Sequence, residues 1–338
     1  MRGGLTKCFH RTTMTLKCNL LLTIEILIDY LRFTSKIHNW VDLAEMLGLQ
    51  KVEWEQGKAR DGWLYHEFFG GIHLYHGGRD DAGVELSGAG CRMLETCNGN
   101  SFDWIALFSY IREQGDEMNV SRLDVAGDDK SGGLNLDRIT QQTRQRKYIC
   151  KARRCVWMSG DEEEVIFGAS SSSTRLRIYN KALERGVAGP WVRVEFQLRD
   201  EAADSFLENL LAREGRIGET YGGVLLNYLR YTVKSPADCQ NNYDRLTTVG
   251  WWDKFVGTAE KIKNIKVGGL EYNYFNLESF VVRQCAGALK AYVDVHGGDV
   301  GPLLEVISKA RLSKKHEELL HQLRMEEKHD NIKNGSAG

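Results

Sequence analysis

The chain lacks several features that would place it directly in a simple class of protein. Only three of its 338 residues are proline and 42% are hydrophobic, so a compact globular protein is expected and a disordered one is not. The formal net charge is −1, which excludes a globally basic coat for nucleic acid. Any binding of nucleic acid must therefore come from a local arrangement of arginine and lysine side chains.

Paired cysteines and long apolar runs are also missing. The eight cysteines include no Cys-x-x-Cys pair, which argues against a zinc ribbon and against a secreted disulfide framework. The apolar run from Leu20 to Ile28 is interrupted by Glu25, lacks a small-residue cleavage site and is too short to span a bilayer. We therefore expect a cytoplasmic protein with no membrane partner.

Two alternating segments stand out near the middle of the chain. Arg175–Lys181 and Trp191–Arg199 alternate apolar and polar residues, and a segment with Gly186, Gly189 and Pro190 joins them, which predicts two strands and a turn. Successive side chains of a strand point to opposite faces, so each strand has one core-facing row and one polar row. The polar rows together carry a tyrosine, a carboxylate and several cations, a mixture suited to phosphate chemistry.

The remaining patterns predict an α+β fold in which an antiparallel sheet has helices packed on one face, arranged as two related halves with a C-terminal helical segment. Further predicted strands are Ile26–Thr34, Val84–Ser87 and Arg122–Asp128. The segment Trp54–Glu85 is expected to form short hairpin strands, and the clearest of them, Phe68–Tyr75, would contain its glycine pair as a bulge or bend. Predicted helices are Trp40–Leu49, Ser101–Gln114, Asp137–Gln145, Glu201–Arg213, Trp251–Ile265, Leu277–His296 and Leu303–His329. The predicted organisation is an N-terminal extension (1–25), an α+β catalytic domain (26–235), a helical C-terminal region (236–330) and a polar tail (331–338).

Short motifs in a fixed order give the chain a resemblance to a known family. They are IDYLRFT at 28–34, ELSGAGCRML at 85–94, RLDVAGDD at 122–129, RLRIYNK at 175–181, WVRVEFQL at 191–198 and Trp-Trp-x-x-Phe at 251–255. In this order they resemble the Rep_trans family of replication initiation factors. The resemblance implies a rolling-circle initiator that nicks and rejoins DNA at one origin, single-stranded or cruciform. It also implies a homodimer and a host helicase as partners.

The resemblance assigns a role to one tyrosine. In the family, the tyrosine of the R-[IF]-Y-[ND]-K motif attacks a phosphodiester, forming a 5′-phosphotyrosine and releasing a 3′-hydroxyl. Tyr179 occupies that position between Arg177 and Lys181, and we expect these cations to favour its phenolate. Together with Arg193 they would hold the phosphate. A half-buried packing role is the alternative for Tyr179. Other candidate nucleophiles are Tyr221, Tyr228 and Tyr231.

Carboxylates on the polar rows of separate strands predict a metal site. Glu85, Glu195 and either Asp124 or Asp128 would converge if their strands are neighbours. Three oxygen ligands without a thiolate or imidazole favour Mg²⁺ or Mn²⁺ over zinc, and the sequence has no His-hydrophobe-His motif. The alternative is a structural network in which each carboxylate pairs with an arginine of the same strands, namely Arg122, Arg177 or Arg193.

Basic residues outside the tyrosine motif are candidates for DNA binding. The stretch Arg144–Arg154 is either a solvated run of charge or an arm that follows phosphates. The predicted DNA-binding residues are Arg122, Arg175, Arg193, Arg144, Arg146, Lys147 and Lys151. Two alternative functions remain open: a non-catalytic regulator that binds DNA through the same sheet face, and a conjugative relaxase with the same chemistry.

Overall fold

A computed structural model of the chain describes residues 24–158, 163–238, 245–267 and 285–312, together with 277, 281, 316 and 320. The chain divides into two compact units, Met1–Val267 and Gly268–Gly338. The first unit therefore includes the helix at Gly250–Ala259, which the sequence analysis grouped with the C-terminal helices.

The first unit is built on a ten-stranded antiparallel sheet. The strand order is β2-β3-β4-β5-β1-β6-β11-β10-β9-β8, and a separate two-stranded sheet pairs β7 with β12. The strands of the first half are β1 Ile24–Ser35, β2 Glu55–Gln56, β3 Tyr65–Phe69, β4 Ile72–His76 and β5 Ala82–Leu86. Those of the second half are β6 Met118–Asp129, β7 Tyr148–Cys150, β8 Cys155–Met158, β9 Glu164–Phe167, β10 Thr174–Asn180, β11 Val192–Arg199 and β12 Leu229–Tyr231.

The two halves of the large sheet share one topology. In the first half, β1 pairs with β5, and β4 and β3 follow outward; in the second half, β6 pairs with β11, and β10 and β9 follow outward. Strands β1 and β6 meet at the centre in antiparallel pairing, with Tyr30 opposite Asp124. The predicted α+β fold with two related halves is confirmed, and the strand order is the same outward from this central pair in both halves.

Helices pack against the apolar face of the sheet. They are α1 Trp40–Met46, α2 Gly88–Cys97, α3 Trp104–Glu113, α4 Leu136–Arg144, α6 Glu201–Ala212, α7 Ile217–Tyr228 and α8 Gly250–Ala259. The short helix α5, Lys181–Arg185, instead borders the polar face, where its residues line a cavity. In α6, the apolar positions Phe206 and Leu207 are buried in one core with Val125 of β6 and Phe196 of β11. Burial of an amphipathic face holds such helices on the sheet, and it leaves the polar rows of the central strands on the opposite face.

The predicted single strand Phe68–Tyr75 is wrong, because this segment is a hairpin. Strand β3 ends at Phe69, β4 begins at Ile72, and Gly70 and Gly71 form the turn with φ of 54° and 88°. Two successive residues with positive φ give the tight turn whose twist suits an antiparallel hairpin. The glycine pair is therefore the reversal of the chain and does not form a bulge.

Several elements have no counterpart among the predicted ones: α2, α5, α7, β7, β8, β9 and β12. Helix α2 begins Gly-Ala-Gly, a poor helix-forming sequence, and it depends on the Ser87 side chain, which caps Gly90 N–H. A Cβ at Gly90 would collide with the backbone carbonyl of Gly71, so tertiary contact requires glycine there. The contact between Gly90 and Gly71 cannot be predicted from the pattern of apolar and polar residues in the sequence.

Two helices of the second unit are described, α9 at Ala286–Val295 and α10 at Gly301–Lys309. They overlap the predicted helices Leu277–His296 and Leu303–His329, whose other residues lie largely outside the described ranges. The predicted tail and most of the N-terminal extension also lie outside them. Within the described ranges, no helix combines the length and the apolar character needed to cross a membrane.

Candidate active site

Tyr179 lies near the end of β10, on the polar face of the sheet. Its ring is largely buried, and its hydroxyl donates a hydrogen bond to Glu195 Oε2 at 2.8 Å. The register of β10 and β11 places Arg177 directly opposite Glu195 and Tyr179 opposite Arg193. The tyrosine and the glutamate are therefore held together by strand pairing and do not depend on a flexible loop.

The electrostatic environment of Tyr179 differs from the prediction. Burial and the charge of Glu195 raise the pKa of Tyr179 above its ordinary value, and the opposing effect of Arg193 is smaller. The expectation that neighbouring cations favour the phenolate is therefore wrong for the free protein. Attack by this hydroxyl requires a proton acceptor, and Glu195 is the carboxylate in hydrogen-bond contact.

Cations surround the tyrosine on the side of an open cavity of about 690 Å³. The guanidinium of Arg177 lies 4.8 Å from the centre of the Tyr179 ring and pairs with Glu164. Lys181 Nζ lies 3.5 Å from Tyr179 Oη, and burial lowers the pKa of this lysine. Arg177, Lys181 and Arg122 line the cavity, so three cations face the space next to the tyrosine.

Arg193 does not face this cavity. Its guanidinium is buried, donates to both carboxylate oxygens of Asp128 at 2.6 and 2.8 Å, and lies 2.7 Å from Asp29 Oδ2. These carboxylates hold the pKa of Arg193 far above its usual value against the effect of burial. The predicted phosphate-holding role of Arg193 is therefore contradicted by its placement, because the side chain has no exposed donor for a ligand.

Two of the predicted metal ligands meet at the cavity. Asp124 on β6 and Glu195 on β11 lie on neighbouring strands, on the same face, and both line the cavity. Asp128 does not, because it is buried beneath Arg193. Of the two alternative aspartates, Asp124 is the one placed for a ligand.

Glu85 does not lie beside Asp124 and Glu195. It lies on β5, and β1 separates it from β6. Burial alone would raise the pKa of Glu85, but hydrogen bonds from Arg60 and Tyr30 bring it below its usual value. Arg122 lies 4.2 Å from the centre of the Tyr30 ring, so Glu85 supports the cavity only through intervening side chains.

The fit of a divalent cation can be judged from Asp124 and Glu195. Among the described residues, no three His, Cys, Asp or Glu side chains form a metal-binding group. Mg²⁺, however, is commonly held by one or two carboxylates with water and substrate phosphate completing its shell. Burial raises the pKa of Asp124 to about 7 against the effect of Arg122, and Glu195 adds to the rise. A cation would offset this negative charge, so the pair fits Mg²⁺ or Mn²⁺ and does not fit a closed zinc site.

The alternative structural network is also present around these carboxylates. Arg122 donates to both oxygens of Asp124 at 2.9 and 2.6 Å. Arg177 Nη1 lies 3.4 Å from Glu195 Oε1, and Gln197 Nε2 donates to the same oxygen at 3.1 Å. These contacts preorganise the carboxylates in the free protein, and a cation would have to compete for the oxygens.

The two-fold relation between the halves gives Tyr179 a counterpart. Tyr75 on β4 is the counterpart of Tyr179 on β10. Each tyrosine lies two residues after a residue that pairs with a glutamate of the next strand: His73 pairs with Glu85, and Arg177 pairs with Glu195. The Tyr75 site is closed, since Trp63 stacks on its ring at 5.3 Å. Of these two related tyrosines, Tyr179 is the one that lines an open cavity.

The other candidate nucleophiles belong to the core on the helix side of the sheet. Tyr221 donates to the Val194 carbonyl at 2.7 Å, and the Tyr231 hydroxyl lies 2.8 Å from Thr143 Oγ1. Tyr228 donates to the Thr174 carbonyl at 3.1 Å. None of the three lines the cavity, so their geometry gives them packing roles.

The predicted DNA-binding residues separate into two groups. Arg122 and Arg175 lie on the polar face of the sheet. The basic stretch follows α4 and contains β7, whose Tyr148 packs at 5.2 Å on Phe167, a residue of the core. Arg144, Arg146, Lys147 and Lys151 therefore lie on the helix side, and none of them lines the cavity.

Two residues of the site were not among the predicted ones. Asp29 lines the cavity and lies against Arg193; it belongs to the IDYLRFT motif, where it could have been noticed. Gln197 lies two residues beyond Glu195 on the same polar row, so the period of the strand already indicated it. Asp29 is acidic and Gln197 is neutral, so neither side chain by itself suggested a site that binds phosphate.

The sequence of the chain matches a known protein family. The model of the Rep_trans family, described as replication initiation factor, matches residues 118–322, which is more than half of the chain. The chain belongs to the Rep_trans family of replication initiation factors. The match includes β6, β10 and β11, which carry Asp124, Tyr179 and Glu195.

A solved structure is similar to most of the chain. It is described as the rolling circle replication initiator protein from Geobacillus stearothermophilus, with 25% sequence identity and a TM-score of 0.65. The similarity covers 73% of this chain and all of the other. A comparison with curated proteins finds no relative of this chain.

Proposed function

We propose that this protein starts rolling-circle replication by nicking one DNA strand at an origin and later rejoining it through Tyr179. The observation that carries the proposal is the 2.8 Å hydrogen bond from Tyr179 Oη to Glu195 at the edge of an open cavity, whose lining includes Arg122, Arg177 and Lys181 as well as six carboxylates. A nucleophile in hydrogen-bond contact with a base, itself oriented by a further group, is the general arrangement of nucleophilic catalysis. Membership of a family of replication initiation factors and the likeness to the Geobacillus initiator support the same function.

The chemistry follows from these contacts. Tyr179 Oη attacks a phosphodiester phosphorus while its proton passes to Glu195. The new oxygen–phosphorus bond replaces the bond to the 3′-oxygen, which takes a proton from water and leaves as a hydroxyl. The phosphotyrosine conserves the energy of the broken bond for the rejoining step. The hydroxyl that leaves can prime DNA synthesis.

The cations around the cavity bind the phosphate. Arg177 and Arg122 offer planar guanidinium groups to its oxygens, and Lys181 places an amine beside the tyrosine oxygen. Asp124 and the Glu195 oxygen Oε1, which Tyr179 does not contact, would hold Mg²⁺ or Mn²⁺, and the cation would neutralise charge on the reacting phosphate. Arg193 acts from below the surface, where it fixes Asp128 and Asp29.

Incubation with origin DNA tests the proposal. A labelled single-stranded origin oligonucleotide is mixed with the protein and Mn²⁺, and a denaturing gel shows whether label moves with the protein. We expect a covalent adduct with the wild type and none with Tyr179→Phe, which removes one hydroxyl and keeps the ring. A non-catalytic regulator would give no adduct with either protein.

Tyr75→Phe is the matched control, because Tyr75 is the buried symmetry counterpart on the same sheet face. It should form the adduct at the wild-type rate. Loss of the adduct in both variants would show that a generally weakened sheet explains the effect. Binding of the same oligonucleotide by Tyr179→Phe, measured by anisotropy, should remain at the wild-type level.

A further inference from the structure

Two arginines lie on the polar face just outside the cavity and have no part in the proposed reaction. Arg175 lies at the start of β10, and Arg199 ends β11, both on the row that carries Tyr179 and Glu195 further along. The exposed serines of the turn before β10, Ser170, Ser171 and Ser173, adjoin them. Four residues along a strand separate Arg175 from Tyr179 by about 13 Å.

The positive charges of these two guanidinium groups are not balanced by a neighbouring carboxylate among the described residues. Within the described part of the chain, neither has a carboxylate at ion-pair distance. Arg175 donates to Gln197 Oε1 and Arg199 to the Ser172 carbonyl, each at 3.2 Å, and Arg175 Nε is buried without an acceptor. Burial and the neighbouring Arg177 and Arg199 hold the pKa of Arg175 below its usual value. Like charges gathered in this way cost stability in the free protein, and a bound anion would remove that cost.

The cluster is a feature of the second half alone. Since Tyr75 is the counterpart of Tyr179, the position four residues earlier on the other half corresponds to Arg175, and it is occupied by Gly71 in the hairpin turn. The symmetric architecture of the sheet therefore does not require an arginine at this place. Its presence only beside the open cavity points to a role in ligand binding.

Resting on the proposed function, we propose that Arg175 and Arg199 form a second phosphate subsite, which binds a backbone phosphate of the same DNA strand about 13 Å from the attacked one. The planar fork of arginine matches two phosphate oxygens at once. Gln197 links this subsite to the chemistry, because its Oε1 accepts from Arg175 and its Nε2 donates to Glu195. A phosphate bound there would hold the DNA strand in place. It would also fix the side-chain amide of Gln197, which orients Glu195, the proton acceptor.

Salt-dependent binding tests the subsite without requiring cleavage. The probe is a fluorescein-labelled single-stranded oligonucleotide of mixed sequence, and its dissociation constant is measured by anisotropy over a range of KCl concentrations. Arg175→Gln with Arg199→Gln should weaken binding about tenfold, the effect of losing charge-assisted hydrogen bonds. The slope of log affinity against log salt should flatten by about 0.7 for the one phosphate lost. Arg213→Gln, on the helix side at the end of α6, should change neither value.

A second measurement changes the DNA instead of the protein and compares the wild type with the double variant. Neutral methylphosphonate replaces one phosphate at a time around the nicked bond. One position other than the nicked bond should weaken binding about tenfold for the wild type and have no effect for the double variant. An unchanged salt slope in the double variant, or equal sensitivity of both proteins at every position, would overturn the subsite. Absence of an adduct with a normal salt effect would instead contradict the nicking reaction and leave the subsite standing.

Discussion

Asp124→Asn should make the protein more stable at pH 8 than the wild type. Asp124 is almost fully buried in the sheet, and burial raises its pKa from 3.8 to about 7. The folded protein therefore holds a proton on Asp124 between about pH 4 and 7, where the unfolded chain does not, and stability falls as pH rises through that window. A pKa moved from 3.8 to about 7 corresponds to about 4 kcal/mol, which the amide regains at pH 8 because it carries no charge.

Urea denaturation followed by tryptophan fluorescence at pH 4, 6 and 8, with chelator present, measures this difference. The advantage of Asp124→Asn should be largest at pH 8 and should shrink as pH falls toward 4. Asp253→Asn, at an exposed position of α8, is the control and should show no such trend. Equal or lower stability of Asp124→Asn at pH 8 would refute the reasoning that the carboxylate is buried with too little neutralising charge.

Three further predictions concern the metal, the buried arginine and the basic stretch. Nicking should stop in excess chelator and return with Mn²⁺ or Mg²⁺, and electron paramagnetic resonance should show weaker Mn²⁺ binding in Asp124→Asn and Glu195→Gln; full nicking in chelator would exclude the carboxylate site. Arg193→Met should lower the free energy of unfolding by about 3–5 kcal/mol, because it strands the buried Asp128 carboxylate, and a loss below about 1 kcal/mol in a urea titration would contradict this. Neutralising the helix-side cations together should leave nicking of a short single-stranded origin unchanged. The same change should flatten the salt dependence of binding to longer duplex origin DNA. Reduced nicking of the short strand would place these residues at the site instead. Those cations are Arg144, Arg146, Lys147 and Lys151.

The sequence predicted the site best where strands are half-buried. β10 and β11 alternate so regularly that the rows carrying Tyr179 and Glu195 follow from the pattern alone. The same pattern is ambiguous at Gly70–Gly71, where a bulge and a reversal use the same residue type. Element type was thus predictable wherever the apolar period was long, and it was not predictable at short glycine-containing segments.

Which charged side chains lie together depends on the order of the strands in the sheet. That order cannot be read from the alternating pattern of each strand. Glu85 and Asp124 are both on polar rows, but β1 lies between their strands and separates them. Arg193 is next to the site in sequence, but its partner Asp128 lies 65 residues away and draws it below the surface. The sign of the pKa shift of Tyr179 likewise depends on burial in the folded sheet and could not be read from neighbouring cations along the chain.

Mapping the covalent adduct tests the central claim most directly. Cleavage after Arg177 and Lys181 by trypsin releases a short peptide, residues 178–181, in which Tyr179 is the sole tyrosine. After reaction with a single-stranded origin oligonucleotide, nuclease treatment and mass spectrometry, the account predicts that this peptide carries a nucleotide through its tyrosine. The same mass on a peptide that contains Tyr221, Tyr228 or Tyr231, or on no peptide at all, would contradict it.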